Sequence, residues 1–124
     1  MAVSESTSAG PFVHVVTLDC KDGEHAKRCI EALANYGRPD ALAFNCVSYE
    51  FGMLEGTVDT VYIVERWRQW SDLDALLNEK VVPALPMYNQ LLRRPFDPSR
   101  DTMRIKLCGS KALSRPGNTG GSFD

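Results

Sequence analysis

The chain has 124 residues, a mass of 13.8 kDa and a formal net charge of −2, from 14 basic and 16 acidic side chains. A chain of this length buries one hydrophobic core, and its slight acidity argues against binding nucleic acid through phosphate contacts. No run of about 18 apolar residues predicts a membrane span. The start of the sequence also lacks the pattern of a secretory leader, so we expect a cytoplasmic protein.

The composition predicts one domain with a flexible tail at each end. Residues 1–10 and 109–124 are mostly small and polar, whereas the apolar residues are concentrated in 11–108. No two of the four cysteines have the two-residue spacing of a zinc or redox motif, so we expect free thiols. The sequence also has no glycine-rich phosphate loop. We therefore expect neither a metal nor an organic cofactor.

The first half of the domain predicts a strand, a helix and a second strand. Residues 12–18 are rich in β-branched side chains and lead to a turn in which Asp22 can cap a helix. Apolar residues then recur at helical spacing until Gly-Arg-Pro at 37–39 predicts the end of that helix. Residues 43–53 alternate between two semi-apolar faces, which predicts a second strand.

The second half predicts a hairpin, an interrupted helix and a last strand. A Glu-Gly turn leads into a third strand over residues 58–67. A capping-box pattern at 71–74 predicts the start of a second helix. Pro83 and Pro86 are expected to break it near Val82, with a second helical piece through Leu92. Residues 102–107 alternate as a fourth strand.

The resulting order, β-α-β-β-α-β, is that of the ferredoxin-like fold. This α+β arrangement has a four-stranded antiparallel sheet with both helices on one face. The helix-free face would then expose large apolar side chains, whichever strand parity holds. Burial against a second copy removes that exposure, so we predict a homodimer paired sheet to sheet.

Two segments resemble a known family. Residues 46–50 read Cys-Val-Ser-Tyr-Glu, and residues 61–67 read Val-Tyr-Ile-Val-Glu-Arg-Trp ahead of a helix that contains an Ala-Leu pair. Across about residues 11–108 this pattern resembles the antibiotic biosynthesis monooxygenases, a family of dimeric α/β barrels. The resemblance implies that two copies form such a barrel and that Trp67 lines a cavity between sheet and helices. The same barrel serves oxygenases, isomerases, cyclases and proteins of no known activity, so it implies the fold more directly than the chemistry.

Two departures from the family pattern restrict what the resemblance implies. Haem-degrading relatives bind iron through a histidine on the second helix, whereas this chain has only His14 and His25, so we expect no haem. Ile63 stands where the anthrone oxygenases have an asparagine, which excludes an identical copy of that site.

His14, Glu65 and Trp67 are the candidate catalytic residues. His14 lies in an apolar strand and can act as a general base or as a hydrogen-bonded core residue. Glu65 shares a strand face with Trp67, and a carboxylate in apolar surroundings is either paired or has a raised pKa. It can therefore be the base or one half of a structural ion pair. Trp67 can line the cavity or belong to the core.

Asn45, Tyr49 and Tyr88 are the candidate substrate-binding residues. Asn45 and Tyr49 are predicted to share one face of the second strand, where an amide and a phenol can bind a carbonyl or phenolate oxygen. Either residue can instead satisfy backbone groups at the dimer interface. Tyr88 can close the cavity mouth, although helix-to-sheet packing explains it as well. The basic residues of the last third, Arg104 among them, predict a solvated face, with binding of an anionic substrate or acidic carrier protein as the alternative.

These residues and the resemblance together favour an enzyme. We expect a cofactor-independent monooxygenase of secondary metabolism that oxidises a phenolic, hydroquinone or anthrone-like aromatic compound to a quinone with O₂. Two alternatives stay open. One is a polyketide cyclase or isomerase that uses the same base without oxygen, and the other is a non-catalytic dimeric protein that binds a small molecule.

Overall fold

Four antiparallel strands form the sheet of this protein. The computed structural model describes residues 10–108, with β1 at Phe12–Asp19, β2 at Ser48–Met53, β3 at Thr60–Trp67 and β4 at Thr102–Lys106. The strands lie in the order β2-β3-β1-β4, and each pairs antiparallel with its neighbour. This order confirms the predicted α+β ferredoxin-like fold. Apart from Gly10, the predicted tails lie outside the described residues.

The first helical run is longer than predicted. It consists of α1 at Gly23–Ala32, a π-helical turn at Leu33–Gly37 and α2 at Arg38–Ala43. Asp22 caps α1 as expected, but the helix does not end at the Gly-Arg-Pro sequence. The wide turn joins the Arg38 N–H to the carbonyl of Leu33, and the proline that follows stands in the first turn of α2, where a missing N–H costs little.

The second helical run is continuous in the same way. It comprises α3 at Trp70–Leu76, a π-helical turn at Leu77–Val81 and α4 at Val82–Asn89. The predicted break near Val82 is therefore wrong, because the π turn again places a proline in the first turn of the next segment. The predicted capping box is also wrong. The N-cap position is Gln69, and its side chain makes no hydrogen bond to the helix. A short helix, α5 at Pro98–Asp101, leads into β4.

The second strand begins five residues later than predicted. Residues 43 and 44 still belong to the helical run and its end, and Asn45 has a φ of +75°, which reverses the chain. Asparagine adopts this left-handed conformation more readily than most residues. The chain then rejoins the sheet where the Val47 N–H donates to the Arg66 carbonyl at 2.8 Å. Asn45 consequently lies outside the sheet.

The two faces of the sheet have different surroundings. Alternate residues of β1 and β3 point towards the helices and are buried, whereas the intervening residues face away from them. The helix-free face carries a contiguous apolar area, because Val15 pairs with both Val64 and Met103, and Ile105 lies next to Met103 on the edge strand. Val64, Met103 and Ile105 are each 45% or more exposed. Within residues 10–108, no helix has the length and apolarity to cross a membrane.

Candidate active site

The three candidate catalytic residues meet on the helix-facing side of β1 and β3. His14 lies opposite Glu65 in the strand register. The Nδ1 atom of His14 is 2.9 Å from Oε1 of Glu65, and Nε1 of Trp67 donates to the same oxygen at 2.9 Å. His14 is 4% exposed, Glu65 5% and Trp67 not at all. The buried carboxylate is thus paired, and its partner is the histidine on the neighbouring strand.

Trp67 belongs to the core. It is fully buried and is not among the residues that line the cavity described below. Its contribution to the site is the indole N–H, which donates to the same Glu65 oxygen that His14 contacts. This bond fixes the orientation of Glu65, which in turn fixes the imidazole of His14.

The second ring nitrogen of His14 faces the cavity. Within residues 10–108 the Nε2 atom has no hydrogen-bond partner, whereas every fully buried polar side-chain atom in that range has one. The Nε2 atom is therefore accessible, and His14 contributes to the cavity wall. An imidazole held at Nδ1 by a carboxylate presents Nε2 as the atom that exchanges protons.

A cavity of about 560 Å³ separates the sheet from the helices. Its volume lies in the usual range for small-molecule sites. The walls are largely apolar and come from both layers, with contributions from Val16, Leu33, Ile63, Leu73, Leu76 and Phe96. Charge that develops on a ligand here is poorly screened, which strengthens its interaction with the few polar groups present.

Both π-helical turns border this cavity. Leu33 and Gly37 contribute from the first turn, and Leu77, Lys80 and Val81 contribute from the second. A π turn is wider than an α turn and is frequent at functional sites. Here the two wide turns lie on the cavity wall, so the same feature that accommodates the prolines also shapes the space available to a ligand.

Tyr49 and Tyr88 are both part of the cavity wall. Tyr49 lies opposite Glu65 in the register of β2 and β3 and is 5% exposed. Its phenol oxygen packs over Gly37, where an added Cβ would lie 2.7 Å from it. Burial raises the pKa of Tyr49 well above its usual value and the pKa of Tyr88 to about 12. Both phenols therefore stay protonated at neutral pH and can donate hydrogen bonds.

Asn45 is not part of this group. It is exposed in the turn before β2, and its amide donates to Oδ1 of Asp72 at 3.4 Å. The prediction that it shares a strand face with Tyr49 is wrong, because the left-handed turn removes it from the strand. The candidates that the structure brings together are His14, Glu65 and Tyr49 on the sheet and Tyr88 on α4.

Arg104 is a cavity residue that the sequence does not single out. It lies opposite His14 on β4 and contributes to the cavity wall. Tyr49, Glu65, His14 and Arg104 therefore form one row across all four strands. Sequence alone places Arg104 only within a general group of basic residues. The alternation of β4 was the available signal, since it separates Arg104 from the apolar residues on either side.

Three of the cysteines are buried and all four are free thiols. Cys20, Cys29 and Cys46 lie in the core and Cys108 is exposed. Burial raises the pKa of the Cys46 thiol to about 11, and this thiol donates to the Ser48 carbonyl at 3.1 Å. The described part of the chain has no group of three histidine, cysteine or acidic side chains arranged to hold a metal ion.

The fold is shared with solved structures of low sequence identity. A Caulobacter crescentus protein named a "putative antibiotic biosynthesis monooxygenase" superposes with a TM-score of 0.69 at 9% identity, over 87% of this chain and 99% of that one. A Chloroflexus aurantiacus protein with the same description gives 0.58 at 18%, over 81% and 95%. A "dimeric ferredoxin-like protein" from an uncultured marine organism gives 0.60 at 16%, over 79% and 95%.

These neighbours define the class of fold. They include proteins named for antibiotic biosynthesis monooxygenases and for dimeric ferredoxin-like proteins, so the ferredoxin-like fold of the single chain is confirmed. No protein-family model matches the chain, and a search of curated proteins finds no match. At these identities the likeness is one of fold, and the chemistry has to be argued from the site.

Proposed function

We propose that this protein is a cofactor-independent monooxygenase that oxidises a phenolic, hydroquinone or anthrone-like aromatic compound to a quinone with O₂. The observation that carries the proposal is the buried pair of His14 and Glu65, which opens on an apolar cavity of about 560 Å³. The names of the Caulobacter and Chloroflexus neighbours support this class of reaction.

The first step is removal of a proton from the substrate. The Nε2 atom of His14 accepts the proton of a phenolic hydroxyl or of the acidic ring methylene of an anthrone. The imidazolium that forms is stabilised by Glu65, which already binds its Nδ1 side. Trp67 keeps the carboxylate in place and does not touch the substrate. Trp67 is thus a positioning residue, and His14 is the base.

The resulting anion needs hydrogen-bond donors. Tyr49 lies next to Glu65 on the sheet, and Tyr88 faces the cavity from α4. Because both phenols remain protonated, they can donate to a phenolate or enolate oxygen. Donors held in a largely apolar cavity stabilise such an anion more than water-exposed donors do.

The deprotonated aromatic compound supplies the electrons for oxygen. It transfers an electron to O₂, and the two radicals combine to form a carbon–oxygen bond, which after protonation gives a hydroperoxide. Loss of water then breaks the oxygen–oxygen bond and the remaining carbon–hydrogen bond, leaving a carbonyl. One oxygen atom enters the quinone and the other leaves as water, so the electrons balance without a further reductant.

We also propose that the protein acts as a homodimer. The exposed apolar area around Val15, Val64 and Met103 lies on the helix-free face of the sheet, away from the cavity. A second copy of the same face would cover it with matching apolar residues. The "dimeric ferredoxin-like" neighbour supports this arrangement.

Oxygen consumption tests the proposal. Chelator-treated protein is mixed with hydroquinones, anthrones and phenolic polyketides, and O₂ uptake is compared between the wild type, His14→Gln and the matched control His25→Gln. We expect uptake above the spontaneous rate, a fall of about 10²- to 10⁴-fold in His14→Gln and no change in His25→Gln, whose ring pairs with Asp22 outside the cavity. Absence of uptake with every compound would contradict the proposal.

A cyclase or isomerase is the second candidate. The same base and the same protonated phenols can move a proton or close a ring without oxygen, so the geometry of the site serves this reaction equally. Product formation under anaerobic conditions would identify it. A binding protein without catalysis would bind aromatic ligands with an affinity that His14→Gln leaves unchanged, and would form no product.

A further inference from the structure

Arg104 and Lys80 are the lysine and arginine side chains at the cavity within residues 10–108, and strand pairing places Arg104 next to the base. It lies directly opposite His14 in the β1–β4 register and faces the cavity from the edge strand. Cα atoms at directly opposed positions of antiparallel strands are about 4.5–5.5 Å apart. A ligand that reaches His14 therefore comes within reach of the long Arg104 side chain.

An aromatic stack holds the guanidinium in place. The Cζ atom of Arg104 lies 3.4 Å from the centroid of the Trp70 ring. Trp70 in turn stacks on the buried Phe12, with a centroid separation of 4.7 Å and an interplanar angle of 21°. A guanidinium stacked by its face on an aromatic ring keeps its N–H groups free at its edge, and those groups match a carboxylate in a bidentate arrangement.

Those N–H groups are unused within the described part of the chain. Among residues 10–108 the Arg104 side chain makes no hydrogen bond and no ion pair. Its partial burial lowers the pKa of Arg104, and Asp74 offsets this only from a distance. Two other arginines of this segment are paired, Arg93 with Asp59 and Arg100 with Asp101. A guanidinium that is stacked on Trp70 and has no anionic partner among residues 10–108 is suited to an anionic ligand in the cavity.

We propose that Arg104 binds a carboxylate of the substrate, so that the substrate class is a hydroxylated aromatic carboxylic acid. This inference rests on the proposed function for the aromatic part of the ligand. The hydroxyl group faces His14, Glu65 and Tyr49, and the carboxylate lies towards β4 against the edge of the guanidinium. Arg104 is then the residue that separates acidic aromatic compounds from neutral ones of the same shape.

Calorimetric titration with two matched probes tests the inference. The probes are a hydroxynaphthoic acid with its hydroxyl and carboxyl groups on different rings and the corresponding neutral hydroxynaphthamide. For the wild type at neutral pH we expect the acid to bind about 10- to 100-fold more tightly than the amide. In Arg104→Met the acid should lose this advantage, to within about twofold, while the dissociation constant of the amide is unchanged.

The controls make each outcome decisive. Arg28→Met removes the same charge from the exposed face of α1 and should leave both dissociation constants unchanged. Equal binding of acid and amide by the wild type, no binding of the acid, or a preference that survives in Arg104→Met would each overturn the inference. The wild-type comparison of the two probes decides the question even if the variant does not fold.

The two proposals fail separately. A preference for the acid that depends on Arg104, without O₂ uptake for any compound, would retain the carboxylate site and contradict the oxygenase. O₂ uptake with neutral phenols, combined with equal binding of acid and amide, would retain the oxygenase and contradict the carboxylate site.

Discussion

Replacement of the Glu65 carboxylate separates the catalytic contribution of this residue from its structural one. Glu65→Gln keeps the size of the side chain and one carbonyl oxygen, which can still accept from His14 and Trp67 as Oε1 does now. The charge that stabilises the imidazolium is lost. We expect the rate of O₂ uptake to fall by about 10²- to 10⁴-fold, because the proton acceptor no longer has a counter-ion.

The stability of this variant should change little. Two hydrogen bonds become neutral and weaker, but a buried amide costs less to desolvate than a buried carboxylate. We therefore expect the free energy of unfolding to change by about 1 kcal/mol or less. Glu65→Leu is the contrasting variant, since it leaves two buried N–H donors, from His14 and Trp67, without an acceptor. At about 1–3 kcal/mol for each donor, it should lose about 2–6 kcal/mol.

Urea denaturation followed by far-ultraviolet circular dichroism measures the stability, and an oxygen electrode measures the rate. Glu31→Gln, on the exposed side of α1, is the matched control and should alter neither quantity. Full oxygen uptake by Glu65→Gln would refute the counter-ion argument. A loss of stability in Glu65→Gln as large as that in Glu65→Leu would refute the structural argument, because it would mean that the carboxylate charge itself holds the site together.

Three further predictions concern packing, assembly and pH. Gly37→Ala places a Cβ 2.7 Å from the phenol oxygen of Tyr49 and should lower the free energy of unfolding, measured in urea, by about 1–3 kcal/mol. Gly52→Ala places its Cβ in open space and should leave that free energy unchanged. If the proposed dimer forms, Val64→Lys should convert it to monomers in sedimentation velocity, whereas Val82→Lys should leave it intact, since Val82 is also exposed but lies on α4. Burial raises the pKa of Tyr88 to about 12, so its stabilising contribution is present below pH 10 and is lost as the pH rises towards 12. Tyr88→Phe should reduce the alkaline loss of stability, while the buried Tyr49 phenol and Cys46 thiol, whose pKa values are also raised, keep their share of it.

The periodicity of the sequence predicts most of the fold. Strand alternation and the apolar stripes of the two helical runs predict the element order, which the strand arrangement confirms. The two missed helix continuations occur where glycine or proline follows a helical segment. Pro39 and Pro83 read as helix breakers, but each stands in the first turn after a π-helical turn, where its missing N–H matters little. Side-chain spacing does not distinguish a wide helical turn from a helix end.

Strand alternation also predicts part of the site. It places Glu65 and Trp67 on one face of β3 and makes His14 the single ionisable residue of the predicted first strand, residues 12–18. Alternation does not predict that His14 contacts Glu65, because a shift of one residue in the strand pairing would move every side chain to the other face. For the same reason the alternation of residues 43–53 is misleading for Asn45, which lies in a left-handed turn outside the strand.

The row of four residues across the sheet shows which part of the candidate site can be predicted from the sequence and which part cannot. Tyr49, Glu65, His14 and Arg104 come from four strands that are separated along the chain, and three strand registers bring them to the same level of the sheet. Each residue alone has an ordinary structural explanation. Together they give an acceptor with its counter-ion in the centre, a phenol donor on one side and an unpaired cation on the other. An acidic aromatic ligand lying along this row would meet each group with the chemistry that group is able to bind.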